Sequence, residues 1–280
     1  MRSAMTYDGS FADKIIANRI KEWGALDFSA NHKREDEGGC GVTGFASTVP
    51  LAGRFIFEPS VCMHNRGNGK GGGIAAAGMN PDMLGVSRDV LDSHYMLNVA
   101  LLEPGCLPAL KEGFVTPFFD VAHEQVIDHI PDFRDLEGLD VRPLDIWRAF
   151  VRVKPAVLKQ FMEENGFQGM TERQAEDEFV SRNTFKLNTR FYSSLGDKEA
   201  FVLSHGRDVM ILKIVGYAEN VVRYYKLDDF QAHVWIAHQR YPTRGRVWHP
   251  GGAHPFTGLN EALVHNGDFA NYHATCEYLK

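Results

Sequence analysis

Cysteine is scarce in this chain: four in 280 residues, at Cys40, Cys62, Cys106 and Cys276. They form no CxxC pair and no zinc-finger spacing, so neither a disulfide framework nor a structural zinc underlies the fold. Positive charge is short as well. Thirty Lys and Arg face 36 Asp and Glu, a formal net charge of −6, which argues against a protein that grips nucleic acid by neutralising phosphates. No stretch is apolar enough to span a bilayer. The best, Tyr95 to Leu110, is broken by Glu103, Pro104, Gly105 and Pro108, and it is too short. The N-terminus mixes Arg2, Asp8, Asp13, Lys14, Arg19, Lys21 and Glu22 without an apolar core, so no secretory signal is expected. A cytoplasmic protein with free thiols follows as the expectation. Repeats and low-complexity segments are also missing. With 44% hydrophobic and 24% charged residues, the composition is that of a globular domain.

Local patterning predicts the elements. Ser10 with Asp13, then Ile15, Ile16, Ile20 and Trp23 before Gly24, read as a capped helix over 10–24. A charged run, Asn31 to Glu37, ends in Gly38-Gly39 and reads as a solvated loop or a cleavable leader. Cys40 to Ser47 and Gly71 to Gly78 read as short, tightly packed strands. The stretch from about 80 to 182 is mixed, its clearest piece a helix from Glu172 to Ser181 capped by Thr171 and Gln174. Ala200–Ser204 and Val209–Val215 read as strands joined by a hairpin turn at His205-Gly206-Arg207-Asp208. His233–His238 and Ala262–His265 are further strands. Runs of strands with few helices point to an α+β layered domain rather than alternating βαβ units.

Several motifs carry possible chemistry, each with a plainer alternative. Gly67, Gly69 and Gly72 formally match GxGxxG, but a strand rather than a helix is expected after them, and Lys70 is followed by Gly rather than Ser or Thr. A plain glycine turn explains them better than a nucleotide site. The histidines, among them His123, His129, His233, His238, His249, His254, His265 and His273, are scattered without HExxH. Surface or core positions account for each. Arg240, ending an apolar strand, offers a rigid fork for a carboxylate, or a surface ion pair. Asn266-Gly267 offers a side-chain amide and an open backbone N–H, the parts of an oxyanion hole, or a hairpin turn. Cys40 after two glycines is a core thiol or a nucleophile. As the first residue of a matured chain it would carry its own base, since an α-amine titrates near pH ~7.7–8.0 and a thiol near ~8.5.

Taken together and in order, five of these motifs resemble the class II glutamine amidotransferases, which are N-terminal-nucleophile hydrolases. They are Cys40-Gly-Val-Thr-Gly-Phe, Arg66-Gly with its glycine run, Arg240-Tyr-Pro-Thr, Ala253-His-Pro-Phe and Val264-His-Asn-Gly-Asp. Within that family the chain looks most like the amidotransferase domain of glutamate synthase, in its archaeal stand-alone form. The resemblance covers 40–280 and is sharpest over 232–272. It implies a four-layer αββα sandwich of two antiparallel sheets. Residues 1–39 would be a leader, and 40–280 a glutamine amidotransferase domain, incomplete at its C-terminal side because the family continues past Lys280.

By the same resemblance, Cys40 is the nucleophile on the side-chain amide of glutamine, and Asn266 and Gly267 hold the oxyanion. Arg240 takes the α-carboxylate, Tyr241, Thr243 and His254 line the pocket, and Asp268 meets the α-amine. Arg244 stands where several relatives carry His or Asn. No cofactor is expected in this chain. Flavin mononucleotide and an iron–sulfur cluster belong to a separate ammonia-accepting synthase module. The expected function is glutamine hydrolysis that supplies ammonia for glutamate synthesis. The alternatives are an amidotransferase for another acceptor and a non-catalytic assembly subunit of the same fold.

Overall fold

The computed structural model describes residues 17–18, 39–193, 196–241, 249–267 and 271–279. The chain divides into two compact units, Met1–Asp36 and Glu37–Lys280. Of the first only residues 17 and 18 are described, both helical, so most of the helix expected over 10–24 lies outside the described residues.

In the second unit, a first antiparallel sheet has the order β1-β8-β2-β7, built from Gly41–Ala52, Gln231–Gln239, Gly72–Met79 and Val209–Ile214. Strand β1 is longer than the Cys40–Ser47 segment that its sequence implies. It runs for 12 residues, alternates between covered and exposed positions, and accommodates Pro50 where its pairing with β8 is interrupted. Such a break is where a ladder tolerates a residue without an N–H. Its glycine start is forced: a Cβ on Gly41 would lie 2.9 Å from the Met63 Cβ, just past helix α1 (Arg54–Cys62).

The second sheet has the order β4-β5-β3-β6, from Phe119–Val126, Asp145–Val153, Tyr95–Leu101 and Ala200–Ser204. In chain order it is strand–helix–strand twice over. Helix α3 (Leu107–Phe114) links β3 to β4, and α4 (Pro155–Asn165) with α5 (Glu172–Phe191) links β5 to β6. This is a split βαβ unit, which corrects the expectation that alternating units would be absent. The signal was weak because β4 is an exposed edge, buried only at Phe119, and β5 interrupts its apolar run with Arg148. Period two then divides the sheet into faces. Leu97, Val99, Trp147, Ala149 and Val151 meet Leu110, Leu158, Ala175, Val180 and Leu187 of the helices. Met96, Ala100, Ile146, Phe150, Phe201 and Leu203 share a second core with Met210, Leu212 and Ile214 of β7.

Thr171 and Gln174 form the expected capping box at the start of α5. The helix runs on to Phe191 rather than ending at Ser181, because Thr184, Leu187 and Phe191 continue its buried stripe. The β6 and β7 strands also stand where the sequence put them, but the four residues between them do not close a hairpin. β6 pairs with β3 and β7 with β2, so the turn carries the chain from one sheet to the other. The α+β class is what the fold shows.

Helix α6 (Ala218–Tyr224) packs against β2 and β7 and has six of its seven residues buried. A helix covered all round sits inside a core rather than on a surface. Together with α1 it occupies the face of the first sheet that bears Ile74, Ala76, Trp235 and Ala237. The opposite face carries the candidate chemistry.

The link between the sheets is held by Arg207, whose side chain is 6% exposed. Its guanidinium donates to Asp177 (2.8 Å) and Glu176 (3.3 Å) of α5 and lies over the Tyr95 ring at 3.9 Å. Removing one partner of a buried ion pair strands the others, at a cost of about 3–5 kcal/mol. Arg207→Met is expected to lower the unfolding free energy by that amount, read from denaturant midpoints. An unchanged midpoint would show the cluster to be energetically neutral.

Candidate active site

Alternation along the first sheet decides which side chains meet. Gly41, Thr43 and Phe45 pair with Gln239, Ala237 and Trp235 and look toward the helices, while Val42 pairs with His238. Gly73 pairs with His238 on one side and Lys213 on the other. One row across the opposite face therefore reads Lys213, Gly73, His238, Val42. The neighbouring row is Gly71, Arg240 and Cys40, with Arg240 N–H donating to the Gly71 carbonyl at 2.8 Å.

The strand glycines make this face usable. A Cβ on Gly71 would lie 2.9 Å from Arg240 Cδ and 3.1 Å from Ala253 Cβ, so the arginine side chain lies across the strand where a larger residue would stand. A Cβ on Gly73 would come within 2.3 Å of the His254 carbonyl. The segment from Pro250 to Phe256 thus rests directly on the sheet.

Cys40 is partly buried, and its sulfur sits against the Tyr241 backbone: Tyr241 N–H is 3.5 Å away and the Tyr241 carbonyl 3.8 Å. Arg240 is 8% exposed. Burial lowers its pKa and the charge of nearby Cys40 opposes that shift. His238 Nε2 donates to the His265 carbonyl at 3.0 Å, which ties the Val264–Gly267 loop to β8. The His254 ring stands 4.7 Å from that of His238 and 6.1 Å from that of His265, centroid to centroid. Gly267 has φ +148°, a conformation other residues rarely adopt.

Of the sequence-predicted residues, the structure thus gathers Cys40, Arg240 and His254 on one face, with the Tyr241 backbone against the Cys40 sulfur and Asn266 and Gly267 on the loop held by His238. Asn266 and Gly267 are exposed. Among the described residues β10 (Glu261–Leu263) ends before them and pairs with β9 (Phe256–Gly258). The strand expected over Ala262–His265 is shortened accordingly. Thr243, Arg244 and Asp268 lie outside the described residues. The glycine run leads from a turn of 3₁₀ helix at His64–Arg66 into strand β2, so the strand–glycine–helix order of a dinucleotide site is not met.

Two residues on this face carry no role from sequence. His238 was one of many scattered histidines; only the register reveals it as the group that holds the loop. Lys213 had one faint signal, a lysine inside the otherwise apolar Val209–Ile214. Among the described residues no group of three or more His, Cys, Asp and Glu could hold a metal ion. No described helix is long and apolar enough to cross a membrane. A groove of about 1530 Å³ runs along α4 and α5, lined by Arg152, Glu176 and Arg207 among others, and none of the predicted site residues lines it.

Comparison with known proteins adds a partial likeness. No family model matches. The chain is 28% identical over 249 residues, 88% of its length, to an uncharacterised protein of Archaeoglobus fulgidus, of which it covers 58%. Over 97 residues, 34% of its length, it is 34% identical to a glutamine–fructose-6-phosphate aminotransferase (isomerizing) of Sulfurisphaera tokodaii, covering 16% of that enzyme. The chain therefore spans less than two thirds of the length of either relative. The likeness to an aminotransferase that uses glutamine hints at an enzyme.

One buried and two partly buried histidines set a pH limit. Burial lowers His205, His238 and His254 to about 4 from an ordinary 6.5. Each is neutral when folded and takes up a proton more readily when unfolded. Their contribution to stability is present above 6.5 and is lost as pH falls from 6.5 toward 4. Unfolding free energy measured by urea titration is expected to drop through that window, less steeply in His205→Gln. A flat profile would contradict the burial of these rings.

Proposed function

We propose that the chain is a glutamine amidotransferase domain that hydrolyses glutamine to glutamate and ammonia. One observation carries this reading: Cys40, Arg240 and the His238-held loop bearing Asn266-Gly267 share one face of the first sheet. The partial likeness to a glutamine-using aminotransferase supports it. In the family's four-layer αββα arrangement a second sheet would cover this same face, where Gly44, Ala46 and Val234 are exposed.

The reaction follows from the groups available. Once residues 1–39 are removed, the α-amine of Cys40 accepts the thiol proton and the thiolate attacks the amide carbon of glutamine. The carbonyl oxygen becomes an oxyanion, held by the Asn266 side-chain N–H and the Gly267 backbone N–H. The C–N bond breaks, the amine returns its proton to the leaving nitrogen, and ammonia departs. Water then cleaves the thioester, which releases glutamate and restores the thiol. Arg240 pairs with the α-carboxylate; Tyr241, Thr243 and His254 line the pocket, and Asp268 faces the α-amine. An oxyanion hole is effective because its donors are fixed before charge develops. The His265 carbonyl held by His238, next to Asn266, supplies such fixing.

We assign the ammonia to glutamate synthesis on a separate synthase subunit, which would hold the flavin and iron–sulfur cluster. Glutamate release from glutamine by the chain starting at Cys40 tests the hydrolysis. Cys40→Ala is expected to abolish it, and Asn266→Ala to lower kcat by about 10²–10³-fold. Undiminished release from Cys40→Ala would end the reading.

A further inference from the structure

Lys213 sits in β7 between Leu212 and Ile214, on the face shared with Cys40, and is only 4% exposed. Among the described residues no hydrogen bond or ion pair reaches its ammonium. Its one contact of note is the Phe256 ring, 4.1 Å from Nζ to the centroid. A π face attracts a cation but accepts hydrogen bonds poorly. The charged and titratable groups that face it are Arg240 and His238 from β8 and His254 from the segment before β9. Two of these are neutral histidines and the third is another cation. Two positive groups thus lie together beneath Gly252–Phe256 with no described carboxylate between them. A buried charge without a partner costs several kcal/mol, and a methionine would fill the same space without that cost.

We infer that Lys213 is a second carboxylate-binding group of this site, standing with Arg240 to hold the α-carboxylate of an amino-acid substrate. The inference rests on the glutamine reading above and adds a positioning residue to it. An anion beside Lys213 supplies the charge its ammonium lacks, and two donors fix a carboxylate's orientation better than one. The lysine also makes the grip titratable. Burial, and then the Arg240 charge, lower its pKa from 10.5 to about 7. A bound carboxylate favours the ammonium form and raises it again. Binding above neutrality therefore draws in a proton, and affinity falls as pH rises through the lysine's free-state pKa. A merely structural lysine would show neither effect.

Titration calorimetry of L-glutamate at about pH 8, in buffers of different ionisation enthalpy, reads that proton directly. The chain starting at Cys40 is expected to take up a large fraction of one proton per glutamate. Lys213→Met should bind at least about tenfold more weakly, the worth of a charged hydrogen bond, with the uptake gone. Lys213→Arg should keep the affinity, lose the uptake and bind independently of pH near neutrality. Should Lys213→Met fail to fold, the arginine variant decides. Unchanged proton uptake in either variant, or unchanged affinity in Lys213→Met, overturns the inference. Glutamine hydrolysis on the same preparations separates the two ideas. Turnover by the unsubstituted chain alongside unchanged uptake sinks the lysine role alone. A chain that neither hydrolyses glutamine nor binds glutamate sinks both.

Discussion

The carboxamide of Gln239 is the interaction on which the candidate site depends. It is 1% exposed, at the end of the central strand β8. Its oxygen accepts from Ala218 N–H at 2.9 Å, at the start of α6, and its nitrogen donates to the Ser60 carbonyl of α1 at 3.0 Å and to Glu219. One side chain thus ties the strand to both helices on the face away from the chemistry. Leaving such buried partners unpaired would cost about 1–3 kcal/mol for each group. With Gln239 locked on one side of β8, alternation sends its neighbours His238 and Arg240 to the other. Glu219 extends the lock by pairing with His64 at 2.6 Å, whose ring stacks on Tyr217, and so anchors the turn that leads into the glycine run.

On the other face, absence of side chains matters as much as presence. Gly71, just before β2, and Gly73, within it, leave two Cβ atoms out of a central strand region, which normally weakens it. Here the lost volume is refilled by the Arg240 side chain and the His254 backbone. The same closeness buries Lys213 and depresses the basicity of His238 and His254. A site with neutral imidazoles and two buried cations is prepared for an acid ligand, and its electrostatics follow from packing rather than from any unusual residue.

The split βαβ unit contributes no predicted site residue, yet it shapes the first sheet. Its inner face packs on Met210, Leu212 and Ile214 of β7, the strand that carries Lys213 on its reverse. Arg148 sits within that contact, donating to Asn98 at 2.9 Å and to the Met210 sulfur. The packing of one layer therefore fixes which way the next strand turns its side chains.

Sequence by itself determined the local pieces: the capping box at Thr171, the strands at 200–204 and 209–214, and the unsuitability of the glycine run for a nucleotide. Cys40, Arg240 and Asn266-Gly267 were marked only by the ordered set of short motifs that resembles a family, since each alone reads as well as a core thiol, a surface ion pair or a hairpin turn. Pairing partners were out of reach. Whether β6 joins β7 or β3 depends on contacts about a hundred residues apart, and a hairpin-like turn looks the same in either case. His238 and Lys213 stayed hidden for the same reason. A lone histidine or lysine has no meaning until strand register places it in a row, and register is set by long-range packing of both faces of the sheet.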